Sequence, residues 1–209
     1  MSTLKHRVLP FIISYNEIDE IKDDSGVDVY RVVNDGYGEI IHYRNNVYHR
    51  DNDLPAVVYL DEYKHWYQGG LHHRDNDLPA YENNTGTKIW FKHGKVHRDG
   101  DKPAIINNSY KAWVKNSQFH RDETVDGITL PAVVYEDGSK FWFQYNMVHQ
   151  DKMVNGKLLP AIIFNDRSTS YYIGDVKVDE KGEPLFKLIT SDGKQDRELM
   201  AAMTSGWDA

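Results

Sequence analysis

The chain of 209 residues contains no cysteine. That removes disulfides, thiolate nucleophiles, iron–sulfur ligands and cysteine-based zinc sites together. No uninterrupted apolar run approaches the roughly 18 residues of a membrane span. Residues 1–14, despite Pro10-Phe11-Ile12-Ile13, lack the long apolar core and small-residue cleavage site of a secretion signal, so the expected location is cytoplasmic. Basic residues are outnumbered: 25 Lys and Arg stand against 32 Asp and Glu, a formal charge of −7. This balance disfavours a general binder of nucleic acid or of an anionic membrane. No Gly-x-Ser-x-Gly elbow, Walker loop or dinucleotide fingerprint occurs, so neither catalysis nor a cofactor is expected. Helical periodicity is missing until residues 196–203 (Asp-Arg-Glu-Leu-Met-Ala-Ala-Met), where Leu199, Met200 and Met203 predict a short helix capping the last sheet edge.

What is present is a repeat. His-Arg-Asp followed by Pro-Ala occurs at His49 with Pro55-Ala56, His73 with Pro79-Ala80, His97 with Pro103-Ala104 and His120 with Pro131-Ala132. His149-Gln150-Asp151 with Pro160-Ala161 is a weaker copy. The histidines are 24, 24, 23 and 29 residues apart, and the last two copies carry five extra residues between His and Pro. Trp66, Trp90, Trp113 and Trp142 each precede a repeat histidine by seven residues. His42 and Tyr171 fill the same slot at the ends of the array, as worn capping units do.

Turn residues predict the secondary structure. Asn45-Asn46, Gly69-Gly70, His93-Gly94, Asn116-Ser117, Tyr145-Asn146 and Gly174-Asp175 lie three and four residues after each Trp slot. The second member accepts positive φ cheaply in almost every case, the mark of a two-residue hairpin loop. A second set (Asp61-Glu62, Thr85-Gly86, Asn108-Ser109, Asp137-Gly138, Asp166-Arg167) precedes the slot and predicts another tight turn. Each repeat then reads as a three-strand meander. The register pairs Tyr67 with His72 and Trp66 with His73, and likewise Trp90 with His97, Trp113 with His120 and Trp142 with His149, so these indoles and imidazoles are predicted cross-strand neighbours. Working back through the earlier turn pairs Tyr81 with Trp90 and Val133 with Trp142. The Trp row should lie on the core face and the row Tyr67, Phe91, Val114, Phe143 and Tyr172 should point away from it, so that either the sheet curls or one aromatic face awaits a partner.

The unit Trp-x-x-x-Gly-x-x-His-Arg-Asp-x-x-x-Pro-Ala resembles MORN-like tandem repeats, in a variant seen in proteins of tailed phages, large DNA viruses and bacteria. The resemblance covers residues 32–184 and implies an elongated antiparallel sheet with a binding or scaffolding role; the His-Arg-Asp and Pro-Ala blocks depart from ordinary MORN units. The expected architecture is all-β, a single elongated antiparallel meander sheet of hairpin repeats of about 24 residues with a short C-terminal helix. Residues 1–31 form a degenerate N-terminal cap, 32–184 the array and 185–209 a C-terminal cap that includes Trp207, either as part of the cap or as a contact residue.

The repeated polar residues invite chemistry and have plainer explanations. Equivalent histidines three strands apart sit on the order of 10–14 Å from each other, too far for one zinc ion with donors about 2 Å away, so no metal site is expected. Arg50, Arg74, Arg98 and Arg121 could read phosphates, but with Asp51, Asp75, Asp99 and Asp122 adjacent they are expected to pair within the array. The Asp-x-Asp loops lack the spaced ligands of a calcium loop. The functional expectation is a non-enzymatic scaffold binding a partner protein, through Tyr67, Phe91, Phe143 and Tyr172 with Arg74 and Arg98 at the rim. Trp66, His73, Trp90, His97, Trp113, His120, Trp142 and His149 are assigned to the repeat framework. A phage or viral source would make a host factor the partner, for example a defence component, with action in the host cytoplasm. The alternatives are a nucleotide-binding or sequestering protein and, third, a hydrolase; homo-oligomerisation stays open.

Overall fold

The computed structural model describes residues 17–22, 28–34, 37–59 and 62–185. The expected C-terminal helix and Trp207 lie outside the described residues. The chain is all-β, without a helix among the described residues, and divides into two compact units, Met1–Lys95 and Val96–Ala209. In the first, strands Glu17–Lys22, Asp28–Asn34, Tyr37–Arg44, Val57–Tyr59, Tyr63–His65, Tyr81–Asn83 and Lys88–Ile89 follow one another antiparallel in chain order. The second repeats this with Ile105–Ile106, Tyr110–Ala112, Val133–Tyr135, Lys140–Phe141, Ile162–Ile163, Thr169–Ile173 and Val176–Val178.

Each repeat contributes two strands to this sheet, not three. At the Trp slot the chain leaves the sheet and closes a separate hairpin, such as Tyr67–Gln68 with Leu71–His72. Trp66 is the last residue held by the sheet, its N–H donating to Ala80 O at 2.8 Å. The His-Arg-Asp loop then crosses back to Pro79-Ala80, where proline has no N–H to extend a ladder. Successive hairpins are tied by one backbone bond each: Gly70 N–H to Tyr48 O (2.9 Å), Gly94 N–H to His72 O (2.8 Å), and Asn146 N–H to Phe119 O (3.0 Å).

The first set of turns has the predicted geometry, with positive φ at both central residues, for instance 56° and 82° at Gly69-Gly70 and 51° and 71° at Tyr145-Asn146. The register follows: Tyr67 faces His72, and His73 N–H donates to Trp66 O at 3.1 Å. The bonds His120 to Trp113 and His149 to Trp142 have the same length. The second set differs. Val133 pairs with Phe141, not Trp142, and Tyr81 pairs with Ile89, not Trp90. The turns at Thr85-Gly86 and Asp137-Gly138 are three-residue loops closed by Asn83 N–H to Thr87 O and Tyr135 N–H to Ser139 O, with Gly86 and Gly138 in the left-handed third position. Asn108-Ser109, by contrast, is the expected two-residue loop, with Ile106 facing Lys111. A one-residue slip moves every side chain to the opposite face. The tryptophans therefore lie on the side opposite Tyr81 and Val133.

The buried interior is built from small and large residues in alternation. Ala56, Ala80, Ala104, Ala132 and Ala161, each following the repeat proline, are fully buried, and Trp66 and Trp90 are buried as well. Trp66, Trp90 and Trp142 donate their indole N–H to the Asp53, Asp77 and Thr129 carbonyls at 3.1, 2.9 and 2.7 Å. Trp113, whose repeat is one residue shorter in its second turn, leaves its indole N–H without a partner among the described residues.

Candidate functional site

The two sides of each unit differ in chemistry. On the Trp side, consecutive loops are clamped by arginine. Arg74 donates from Nε and Nη2 to the two Asp53 oxygens at 2.7 and 2.9 Å, and from Nη1 to Pro79 O at 3.2 Å. Its guanidinium lies 3.9 Å over the Trp66 ring. Arg121 repeats the arrangement with Asp101 (2.6 and 2.5 Å), Pro131 O (3.2 Å) and the Trp113 ring at 3.8 Å. Asp53 is held below the usual carboxylate range chiefly by the Arg74 hydrogen bonds. Arg98 donates Nη1–H to Pro103 O at 3.2 Å and is half-buried. Arg74 and Arg98, expected at a binding rim, thus serve contacts within the chain.

The repeat histidines form a second clamp. Nδ1 of His49, His73, His97 and His149 accepts the N–H of Gly69, His93, Asn116 and Gly174 at 3.0–3.2 Å, a turn residue of the following hairpin. A ring nitrogen that accepts carries no proton, so in His73 and His97 Nε2 is the donor, to Asp75 and Asp99 at 3.2 and 3.0 Å. Nε2 of His49 lies 3.0 Å from both Asp51 Oδ1 and Arg44 Nη1. The rings that stack on the histidines come from these turns as well: His93 on His73 and Tyr145 on His120, both at 4.1 Å. Imidazole and indole therefore face each other at the backbone while the imidazole stacks on the next repeat. The carboxylates of this row are held low by a hairpin side chain first: Asp51 by Arg44 and then His49, Asp75 by Gln68 and then His73, Asp122 by Lys115. Crevices of about 430 and 330 Å³ lie between successive loops, the first lined by Arg50, Asp53, Trp66, His73 and Arg74 and the second by Asp101, Trp113, His120 and Arg121.

The opposite side is aromatic. In the first unit, ring contacts run from Tyr43 to Tyr48 (5.1 Å), Tyr67 (5.0 Å), His72 (4.0 Å) and Phe91 (4.6 Å). A branch joins Tyr67 through His65 (6.2 Å) to Tyr81 (4.8 Å), Tyr63 (6.4 Å) and Tyr59 (6.3 Å). His65 Nδ1 and His72 Nε2 share a hydrogen bond of 3.0 Å. Burial pushes His72 down to about 4, the neighbouring His65 adding to the effect, and lowers His65 also; burial pushes the Tyr67 hydroxyl up to about 12. In the second unit Tyr110, Tyr135, Phe141, Phe143 and Phe119 connect at 5.4–6.4 Å, with Phe164 edge-on to Phe141 at 6.0 Å. The other face of the strands carries Lys64, Glu82 and Lys88 in one register row and Lys111, Val134 and Lys140 in another.

Tyr67, Phe91 and Phe143 lie within these ring rows, and all are half-buried, as is Tyr172, whose carbonyl accepts Gln150 N–H at 3.0 Å. More open rings sit beside the three-residue loops: Tyr59 and Tyr63 are each 40% exposed, and Tyr135 and Phe164 are similar. Their signal in the sequence is period two. Tyr59, Tyr135 and Phe164 each follow a buried Val57, Val133 or Ile162 by two residues and so share its face. Among the described residues no helix is long and apolar enough to cross a membrane. No family model, curated protein or solved structure matches the chain.

Proposed function

We propose that the protein is a non-enzymatic, MORN-like repeat scaffold that binds a partner protein with its aromatic side. The observation that carries this reading is the connected ring network of the first unit, which ends in the open rings of Tyr59 and Tyr63. Half-buried rings give large contact area at low entropic cost when a partner covers them, and a contiguous apolar patch on a soluble surface marks an interaction site. Tyr67 and Phe91 form the floor of that surface, and Tyr59 and Tyr63 its contact layer; Phe143 belongs to the corresponding ring row of the second unit. The protein acts in the cytoplasm. The resemblance to phage and viral repeats makes a host protein, a defence component included, the first partner class to test.

Pull-down from a bacterial lysate with the wild-type chain and a Tyr59→Ser, Tyr63→Ser variant tests this. Loss of a stoichiometric partner in the variant supports the reading, and an identical partner set removes it. Nucleotide binding in the crevices requires Arg74 to release Asp53. A thermal-shift screen against nucleotides that raises Tm for the wild type but not for Arg74→Ala would replace the scaffold reading with that one.

A further inference from the structure

The insertions that distinguish the last two complete copies fold into hairpins of their own. Thr124–Val125 pairs with Ile128–Thr129 around Asp126-Gly127, and Met153–Val154 pairs with Lys157–Leu158 around Asn155-Gly156. All four turn residues have positive φ, from 53° to 76°, so both are tight primed turns. Neither hairpin is a loose loop. Leu130 N–H closes the first on Glu123 O and Leu159 N–H the second on Lys152 O, each at 2.9 Å. The Trp142 indole bonds Thr129 O, and Leu158 N–H bonds Glu180 O. The hairpins are neighbours: a methyl group built on Gly127 would lie 3.6 Å from Lys152 Nζ.

These rigid hairpins present apolar side chains where charge would keep a tip soluble. Val125 and Val154 occupy the same hairpin position one repeat apart and are 54% and 37% exposed, with Met153 also exposed. Their surroundings are acidic. Glu123 and Asp126 are exposed and form no ion pair among the described residues, and Asp151, exposed just before the second hairpin, lies 3.7 Å from His149 Nε2. Of the nearby cations, Lys157 is neutralised by Glu180 at 3.0 Å and Lys115 by Asp122 at 2.9 Å, leaving Lys152 near Gly127 and Lys181 after Glu180. Per-repeat insertions in an array project on one face and frequently carry its binding function.

We propose that the two inserted hairpins form a second docking surface, separate from the aromatic side, for a basic segment of a partner protein that carries apolar side chains. The valines seat the apolar groups, Glu123, Asp126 and Asp151 attract Lys or Arg, and the tight turns keep the site formed before binding, so little ordering opposes it.

Fluorescence anisotropy with the full chain tests this. The probe is a labelled decapeptide of alternating Lys and Leu, and its counterpart alternates Glu and Leu. Saturable binding of the Lys-Leu peptide, weakened by salt and reduced about tenfold in a Val125→Ser, Val154→Ser variant, is the expected result. A second variant replaces residues 123–130 with Asn-Thr-Leu, the short loop of the earlier copies with the threonine that Gln150 bonds retained. It should lose the interaction while keeping its far-UV spectrum. Tyr59→Ser, Tyr63→Ser should bind the probe like the wild type, which separates this surface from the aromatic one. Equal binding of the Glu-Leu peptide, an absence of saturable binding, or unchanged affinity in the valine variant would overturn the proposal.

Discussion

Arg74 in the first unit and Gln150 in the second occupy the same slot, one residue after a repeat histidine. Arg74 reaches Asp53, two residues before the proline of the preceding loop. Gln150 reaches Thr129, also two residues before its proline, donating from Nε2 to Oγ1 at 3.1 Å. The ion pair and the neutral pair have changed together. Gln150 is 2% exposed, whereas Asp53 reaches solvent, and a buried charge is costly unless paired. The slot demands a donor that bridges consecutive loops, and burial decides whether that donor is charged. At the end of the array the position two residues before the proline is the buried, apolar Leu158.

The largest expected effect tests that comparison directly. Gln150→Arg places a guanidinium where Thr129 cannot ionise and should destabilise by about 3–5 kcal/mol. Adding Thr129→Asp should recover much of the loss, as read from chemical denaturation midpoints. Additive midpoints across that cycle would break the claim that the two positions are coupled. In the exposed version, Arg74→Gln should cost about 1–3 kcal/mol through the lost bidentate bonds and Trp66 stacking. Asp53→Thr should offset part of it.

The units differ again on their aromatic sides. His65 and His72 of the first stand where the second carries Phe141 and Phe119. Both histidines are held below the ordinary value near 6.5, His72 at about 4. The unfolded chain therefore takes up protons that the folded chain refuses. Stability from this pair is complete above about pH 6.5 and declines as pH falls toward 4, where the slope flattens. Amide hydrogen exchange should show the first unit losing protection earlier on acidification. His72→Phe should reduce that difference, and an unchanged pH profile would remove the pair as its source.

The smallest effect concerns the turn residue beneath each histidine. Tyr145 sits at φ 51°, where two of the equivalent residues are Gly69 and Gly174 and the others Asn45, His93 and Asn116. Tyr145→Gly relieves about 1 kcal/mol of backbone strain and forfeits a stacking contact on His120 of about 0.5–1.5 kcal/mol. The net change in Tm should stay within a few degrees. A large loss would mean that stacking outweighs the backbone.

Much of this was legible in the chain and some was not, for identifiable reasons. The two-residue turns were visible because Gly, Asn and Asp advertise positive φ. The second set of turns, Asn108-Ser109 apart, misled by one residue, since Asp137-Gly138 suits a two-residue loop as well as the last two positions of a three-residue one. That slip moved the tryptophans to the wrong face and hid Tyr59 and Tyr135 as the open rings. The Asp-Gly and Asn-Gly pairs within the insertions carried the strongest hairpin signal of all, yet read as extra loop length because the repeat was aligned on its His and Pro markers.

By itself the sequence determined the all-β class, the repeat phase and the pairing of Tyr67 with His72. These depend on contacts a few residues apart, which turn chemistry and alternation specify locally. Tertiary structure alone decided that Arg74 closes on Asp53, that His73 stacks on His93, and that each strand breaks at its tryptophan. Those partners lie about twenty residues away, where many pairings satisfy the same local rules, and only the packing of one repeat on the next selects among them.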